Sequence, residues 1–441
     1  MKRIIALLLA LLMVISLTAC GGGDSQSGGG ASNINPAETA FDTQTFIAEM
    51  PSELKGTTVN FLTWYDPNDR PAEKSAIEAF ETASGIDVNV ISVEYGQAYN
   101  DKLAGLVATG DSPDVIRMSD PKAAWMKVLQ PIVNTGYDFS GSAWSKTVKD
   151  RFSVDGVQYA ANLTYTPFIV FSTLHYHKST MEEYGFEDPW ELYKKGEWTW
   201  DKLIEMCETW VKQGTDYYGV GTSSFGMVNN TAGKDFVSYN GSRWSMNLYD
   251  SNLLDIYRTV LDNRDKRIFV QKERVVFDAI KHTSLFQYVD STGLEASSVY
   301  SEKTKRRGDF AATLLPKLSG YDYYLPVGEM LGWGVPIGAK NPKAVPYFIS
   351  WYANLAMYDL NTFFYDERSK EIYETAVSIE NKFSPMTEEI FDFDTSPFIW
   401  NLFNSAKSAQ ITTFIEEQEY KCQDKLNEYN AVLSNMNKEI K

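Results

Sequence analysis

The chain has 441 residues, 44% of them hydrophobic and 22% charged, and a formal net charge of −17. This length predicts two or three domains and a core large enough to need no disulfide or metal. The charge argues against nucleic acid, whose binding relies on Lys and Arg neutralising phosphates, and the 24 Phe, 26 Tyr and 11 Trp can serve either a core or a site that stacks on ligands.

The N-terminus has the pattern of an export signal. Lys2 and Arg3 precede an apolar run from Ile4 to Ile15, which as a helix would rise about 18 Å, too short for a hydrocarbon core of roughly 30 Å. A positive start, a short apolar run and small residues indicate a secretory signal over residues 1–19. The end of this segment, LTAC, resembles a bacterial lipobox, which implies cleavage before Cys20 and a diacylglyceryl group on its sulfur. Ordinary signal cleavage after Ala19 is the alternative.

The segment that follows is predicted to be a tether over residues 20–53. Residues 21–35 read GGGDSQSGGGASNIN, a Gly/Ser-rich composition that cannot offset the entropy of ordering. Loss of residues 1–19 removes Lys2 and Arg3 and takes the formal net charge to −19. An anchored protein with this charge would stand off from an anionic membrane surface.

Alternating patterns after the tether predict strands and helices in the order of a βαβ unit. Residues 58–64 read as a strand, residues 72–82 as a helix that ends near Gly85, and residues 86–90 as a second strand. A second helix opens at Tyr99, and residues 114–118 form a third strand. This order implies a parallel sheet with right-handed crossovers. Ligands of open α/β sheets bind beyond the carboxyl ends of strands, which is where Trp64, Tyr65, Asp66 and Asp120 fall.

Later segments carry clear but isolated signals. Residues 159–173 form a long extended run, and Thr199 is a suitable N-cap for an amphipathic helix whose tryptophans, Trp198, Trp200 and Trp210, we interpret as packing residues. Residues 310–316 and 332–337 read as strands, residues 345–356 as a helix, and residues 405–441 as a helical tail.

Familiar catalytic motifs are absent from the sequence. It contains no GxGxxG, GxxxxGK[ST], GxSxG or CxxC pattern, so we expect no cofactor.

Cys207 and Cys422 could pair, although their spacing does not require it. His175 and His177 share one strand face, and we interpret them as partly exposed residues rather than as a metal site. The basic stretch of residues 303–307 is most simply a solvated loop.

Five segments, in order, resemble the family 1 extracellular solute-binding proteins of ABC transporters, the sugar-binding group that includes maltose-binding protein. They are FETASGIDVNV, YNDKLAGLVATGDSPDV, GEWTWDKLIEMCETW, FAATLLPK and GWGVPIGAKNPKAVPYFISWYAN. Together they cover most of residues 56–360. Residues 278–300 depart from the Gly-Lys-x-Ala-Met segment usual in the family, and residues 220–250 have no counterpart, so ligand contacts there do not carry over.

The resemblance implies an α/β, two-lobed periplasmic-binding-protein-like fold of type II, with the ligand in a cleft between lobes joined by crossing strands. Lobe 1 would comprise residues 54–163 and 331–390, and lobe 2 residues 164–330 and 391–441. Closure about the hinge would bury the ligand.

A sugar ligand would require aromatic platforms for its C–H faces and carboxylates for its hydroxyls. The residues predicted to supply them, at strand ends, on the crossing strand or in polar loops, are Trp64, Tyr65, Asp66, Asp120, Trp125, Tyr165, Trp244, Glu329 and Trp333.

The resemblance therefore implies a monomeric receptor that is not an enzyme. It would be anchored by Cys20 on the outer face of the cytoplasmic membrane and would deliver a carbohydrate to permease subunits. Two alternatives stay open. Abundant carboxylates are compatible with an anchored glycoside hydrolase. The same fold could also bind a non-sugar solute, for which the basic residues 302–307 would matter more.

Overall fold

The computed structural model describes residues 41–119, 123–167, 169–222, 231, 233–271, 283–296, 309–379, 382–383 and 407–436. The helices of this part of the chain are α1 (Thr43–Ala48), α2 (Pro71–Ser84), α3 (Gln97–Thr109), α4 (Ala123–Met126), α5 (Lys146–Arg151), α6 (Lys178–Glu183), α7 (Pro189–Lys194), α8 (Trp200–Trp210), α9 (Ser251–Arg264), α10 (Val345–Tyr352), α11 (Leu360–Phe363), α12 (Glu367–Ser378) and α13 (Ile411–Met436). The strands are β1 (Thr58–Thr63), β2 (Asp87–Ser92), β3 (Val115–Ser119), β4 (Leu129–Gln130), β5 (Ser153–Val154), β6 (Val157–Gln158), β7 (Ala160–Ala161), β8 (Val170–His177), β9 (Tyr218–Thr222), β10 (Val237–Tyr239), β11 (Trp244–Met246), β12 (Phe269–Gln271), β13 (Ser284–Asp290), β14 (Phe310–Leu314), β15 (Leu325–Glu329), β16 (Leu331–Pro336) and β17 (Lys382–Phe383).

The first sheet has the strand order β2-β1-β3-β16-β4, with β7 also paired to β16. β1 runs parallel to both β2 and β3, as the predicted βαβ pattern requires, whereas β16 is antiparallel to β3. Helix α2 ends where Gly85 adopts φ 70°, a left-handed conformation that favours glycine. The predicted strands and helices of this region are therefore confirmed.

The second sheet has the strand order β12-β9-β13-β8-β15-β17, with β14 also paired to β8. β9, β12 and β13 are parallel to one another, so their carboxyl ends share one edge of the sheet. Each sheet with its helices forms one lobe, and the two-lobed α/β prediction is confirmed.

The chain passes between the lobes at several points. One passage joins β7 to β8 and lies within the predicted extended run, which the structure interrupts with bends at Thr164 and Tyr165. Another joins β15 to β16 through the single residue Met330. A third follows α10 and leads to α12.

The third passage corrects the predicted lobe boundary at residue 390. Helix α12 packs against β14 of the second sheet, and β17 pairs with β15 of the same sheet. The return to the second lobe is therefore complete before residue 367. No local pattern marks this change, because it depends on which sheet receives the buried face of α12 (Ile372, Tyr373, Ala376 and Val377).

The predicted tether extends too far along the chain. Helix α1 begins within it, with the Asp42 side chain accepting a hydrogen bond from the Thr45 backbone at 3.0 Å. Ile47 and Met50 are buried, and Phe46 stacks on Tyr347 at 4.5 Å. This short stretch is folded because its apolar side chains fill a face of the first lobe. The signal sequence, Cys20 and the rest of the tether lie outside the described residues.

Two expectations about single residues are tested by burial. Trp198, Trp200 and Trp210 are 2–3% exposed, which confirms that they pack. The prediction that His175 and His177 are partly exposed is wrong, because β8 is an interior strand that pairs with both β13 and β14, and the two histidines are 0% and 1% exposed. The Nδ1 atom of His177 lies 3.0 Å from Asp309.

Cys207 and Cys422 are buried free thiols. Burial raises the pKa of Cys422 to about 11 and that of Cys207 further still.

Among the described residues, no helix combines the length and the apolar composition needed to cross a membrane.

Candidate ligand-binding cleft

The predicted binding rim lies where β1 and β3 end. Phe61 pairs with Val115 in parallel register, so the carboxyl ends of the two strands meet at one edge of the first sheet. β16 begins at this same edge, because Leu331 pairs with Ser119. The rim is therefore next to the passage through Met330 into the second lobe.

Trp64 is the aromatic residue of the rim with an accessible surface. Its side chain is half-buried, with Tyr95 and Tyr99 packed edge-on at ring distances of 5.4 and 5.8 Å. The Arg117 guanidinium lies 4.8 Å from the Trp64 ring centroid. Tyr95 is 42% exposed, and its hydroxyl is 3.1 Å from Ser119 Oγ. Trp64 and Tyr95 thus form a supported aromatic surface at the strand ends.

Tyr65 is half-buried, with protein groups against its ring and its hydroxyl. The guanidinium of Arg70 lies 4.3 Å from its ring centroid and that of Arg117 lies 4.8 Å from it. The Tyr65 hydroxyl donates to Glu73 at 2.9 Å and accepts from Arg117. Burial raises the pKa of Tyr65, so the phenol stays protonated and can donate. Its role in this geometry is to hold the two arginines.

Glu73 is the buried counter-charge of this network. It is 0% exposed and accepts hydrogen bonds from Tyr65, from Arg70 at 3.4 Å and from the Tyr352 hydroxyl at 2.6 Å. A buried carboxylate is tolerated only when donors satisfy it, and these three do so. Arg117, which is 5% exposed, supplies positive charge on the other side of Tyr65.

The network continues into the second lobe through Arg70. Its Nη1 atom lies 3.2 Å from Oε2 of Glu295, a residue that follows the short turn Ser291–Leu294 after β13. Because β13 is parallel to β9, Glu295 belongs to the edge of the second sheet where the parallel strands end. One ion pair thus joins a residue beside the strand ends of the first sheet to a residue beside the strand ends of the second.

The other predicted site residues are not all at this rim. Asp66 is next to Trp64, half-buried, and its Oδ1 atom caps the turn Pro67–Asp69 by accepting from the Asn68 backbone at 2.9 Å. Asp120 lies outside the described residues. Glu329 ends β15, and its side chain lies outside the described part of the structure.

Two of the predicted tryptophan platforms are buried in the structure. Trp333 is 1% exposed among Phe61, Phe348 and Tyr352, so its ring belongs to the core. Trp125 is 2% exposed and donates from Nε1 to Asn100 at 2.6 Å. A position at a strand end or beside glycines does not predict that a tryptophan side chain is exposed, because other elements can pack over it.

Trp244 and Tyr165 border cavities away from Trp64. Trp244 is 2% exposed, stacks on Tyr239 at 4.5 Å, and borders a cavity of about 860 Å³ between the β10–β11 hairpin and α5. Tyr165 is half-buried and lines a separate cavity of about 650 Å³ together with Trp144 and Met330. Neither cavity is lined by Trp64, Tyr65 or Asp66.

Sequence reasoning missed Arg70, Glu73, Tyr95, Arg117 and Glu295. Tyr95 had a usable signal, since it follows β2 at the same sheet edge as Trp64. The four charged residues had no such sequence signal, because the position of each depends on a partner from another element. In the described part of the chain, no three His, Cys, Asp or Glu side chains converge as a metal site would require.

Comparison with known proteins agrees with this architecture. A family model described as bacterial extracellular solute-binding protein matches residues 66–264. This stretch of the chain is therefore similar to bacterial extracellular solute-binding proteins. No curated protein sequence matches it.

Several solved structures share the fold of this chain at low identity. The galacto-N-biose/lacto-N-biose I-binding protein of the ABC transporter from Bifidobacterium longum, in complex with lacto-N-biose, has a TM-score of 0.61 at 13% identity, covering 84% of this chain and 97% of that one. Maltose-bound MalE3 of T. maritima has a TM-score of 0.56 at 14% identity, covering 83% and 100%. The extracellular solute-binding protein from Staphylococcus aureus in complex with maltose has a TM-score of 0.55 at 14% identity, covering 88% and 99%.

Proposed function

We propose that this protein captures a carbohydrate, most suitably an oligosaccharide, between its lobes and delivers it unaltered to the permease of an ABC transporter. The observation that carries the proposal is the half-buried Trp64 at the carboxyl ends of β1 and β3, close to Asp66 along the chain. The sugars bound by the similar structures support the same ligand class.

The chemistry of this rim suits a neutral sugar. A sugar ring has an apolar C–H face that can stack on the Trp64 and Tyr95 surface. Its hydroxyls can donate to Asp66, since one carboxylate oxygen caps a turn and an ionised carboxylate offers further acceptor sites. The four charged residues of the network carry two positive and two negative charges. They therefore impose no net charge on the ligand.

A receptor is favoured over a hydrolase by the state of the carboxylates in the cleft. Glu73 is fully buried and engaged by three donors, and Glu295 is paired with Arg70. A glycosidase needs one carboxylate that can protonate the leaving group and another that can act as base or nucleophile. Neither of these two carboxylates is available to a substrate in this arrangement.

The proposed setting is the outer face of the cytoplasmic membrane, with the folded lobes tethered through a lipidated Cys20 as a monomer. The sequence LTAC followed by a Gly/Ser-rich segment supports this part of the proposal. Replacing Cys20 by Ala in the producing cell should move the protein from the membrane fraction to the medium. Retention at the membrane would contradict lipid anchoring.

The deciding experiment is a thermal-shift screen of mono- and oligosaccharides, followed by product analysis of every mixture that responds. Ligand at 100 times its dissociation constant should stabilise the fold by about 2.7 kcal/mol. A raised melting temperature with the sugar recovered intact supports the receptor. Sugar cleavage would identify an enzyme instead, and stabilisation only by non-sugar solutes would overturn the ligand class.

A further inference from the structure

The Arg70–Glu295 ion pair joins a residue of the first lobe to a residue of the second. Arg70 immediately precedes α2 of the first lobe, and Glu295 follows β13 of the second. Their atoms are 3.2 Å apart, with side chains 33% and 11% exposed. The pair is therefore partly shielded from water, which makes it stronger than a fully exposed surface pair.

Arg70 is positioned by its own lobe. Its guanidinium lies on the Tyr65 ring at 4.3 Å, and it also contacts Glu73 at 3.4 Å. Tyr65 is in turn fixed by Glu73 and Arg117. The long side chain consequently loses little additional freedom when Glu295 approaches.

Glu295 is positioned by its own backbone. Residue 295 bridges Phe364 in an antiparallel arrangement, the Ala296 backbone donates to Phe363 at 2.9 Å, and Tyr365 donates to Leu294 at 2.9 Å. Phe363 and Phe364 belong to the third passage between the lobes. Each partner of the ion pair thus has further contacts that fix its position, Arg70 with Tyr65 and Glu73, and Glu295 through its backbone.

We propose that Arg70 and Glu295 form a latch that favours the closed arrangement of the lobes before any ligand binds. This inference rests on the proposed function, in which the lobes close about a hinge over a sugar. The apparent dissociation constant of such a protein is its intrinsic value divided by the fraction that is competent to bind. A latch that raises the closed fraction therefore tightens binding without touching the ligand.

Glu295→Gln is the cleaner of the two neutralising variants. It leaves Arg70 paired with Glu73, whereas loss of Arg70 would leave two carboxylates short of a partner. Glu78→Gln is the matched control, because Glu78 pairs with Lys74 at 3.9 Å within a single helix. Arg70→Lys separates the two contributions of Arg70, since Lys keeps the charge but loses the planar stacking on Tyr65.

The first measurement is small-angle X-ray scattering of the ligand-free full-length protein at low ionic strength. Glu295→Gln should increase the radius of gyration, Arg70→Lys should increase it less, and Glu78→Gln should leave it unchanged. The increase should be mimicked in the wild type by high salt, which screens the pair. If Glu295→Gln leaves the radius of gyration unchanged, the ion pair does not affect the balance between open and closed lobes. The proposed latch would then be wrong.

The second measurement is titration with the sugar that gives the largest thermal shift. Glu295→Gln should weaken its affinity about threefold to tenfold, as expected for an ion pair of this exposure. Equal affinities in the two proteins would overturn the latch. If no sugar binds the wild type, the proposed function fails, while scattering from the ligand-free protein still tests the latch on its own.

Discussion

Arg117 illustrates how a single residue can be necessary to a site without being recognisable in sequence. It occupies the middle of β3, where the apolar neighbours Ile116 and Met118 define the strand. Its side chain is buried, and its charge is stabilised by a hydrogen bond to Tyr65 and by the nearby negative charge of Glu73. Removal of one partner of such a buried set costs more than the set contributes, because the other charge is left unpaired.

Trp64→Ala tests the aromatic surface. The substitution removes the half-exposed ring that stacks on the sugar. We expect binding to lose about 2 kcal/mol or more, roughly 30-fold in affinity, as for a tryptophan at the centre of an interface. Isothermal titration with a sugar identified by the screen measures the loss, and circular dichroism confirms that the variant is folded.

Trp333→Ala provides the contrast. Its ring is in the core, so we expect the free energy of unfolding to fall by about 3–5 kcal/mol, as for other buried tryptophans, with affinity unchanged in whatever protein folds. Urea denaturation measures the stability of both variants. Reversed results, with affinity lost in Trp333→Ala and kept in Trp64→Ala, would restore the predicted platform and remove the observed one.

At the scale of elements, local signals were reliable where one residue decides the boundary. Thr199 was predicted as an N-cap, and its hydroxyl oxygen accepts from the Lys202 backbone at 3.3 Å. Gly85 and Gly110 end α2 and α3 with positive φ, as helix-terminating glycines do. These features depend only on neighbours along the chain.

Thr199→Ala should destabilise the protein by about 1 kcal/mol, because the first turn of α8 loses an acceptor for its free backbone N–H groups. Thr199→Ser keeps the hydroxyl and serves as the control. Urea denaturation compares the two with wild type. A stability loss as large in the Ser variant would mean that the methyl group, rather than the cap, is what matters.

Elements whose identity depends on distant partners were harder to predict. Helix α1 forms in a segment read as tether because Phe46 and Ile47 find a face of the first lobe. Helix α12 was placed with the wrong lobe because its buried stripe would suit either sheet. Periodicity specifies that a helix has a buried face, but it does not specify what covers that face.

At the scale of the whole molecule, ion pairs fix how elements of the second lobe sit together. Asp188 lies at the start of α7 and pairs with Arg368 of α12 at 2.8 Å, while accepting a bond from Tyr176 at 2.5 Å. Burial alone would raise the pKa of Asp188, but the Tyr176 and Arg368 bonds outweigh it and lower the pKa below its ordinary 3.8.

The lowered pKa makes the contribution of Asp188 depend on pH. A carboxylate with a depressed folded pKa stabilises the protein above its unfolded value, and this stability is lost as pH falls towards the folded value. Asp188→Asn keeps the cap to Trp190 but removes the charge. We expect a cost of about 1–3 kcal/mol at pH 7, the range for hydrogen bonds to charged groups.

Urea denaturation at pH 7 and at stepwise lower pH checks this prediction. The difference between wild type and variant should shrink once the pH falls below 3.8. Asp255→Asn is the matched control, since Asp255 pairs with Arg258 at 2.7 Å but is 71% exposed. An equal effect of both substitutions, or a difference that does not change with pH, would contradict the assignment.

The sequence by itself indicated the class of fold and the order of the strands and helices in the first sheet, and it predicts the edge of that sheet at which a ligand would bind. It did so because periodicity, caps and strand ends are written in neighbouring residues. The tertiary structure decided which aromatic residues are buried, that Tyr65 contacts two arginines, and that Arg70 meets Glu295. Those outcomes depend on contacts between residues that are remote along the chain, where burial and charge pairing are settled only when the two lobes come together.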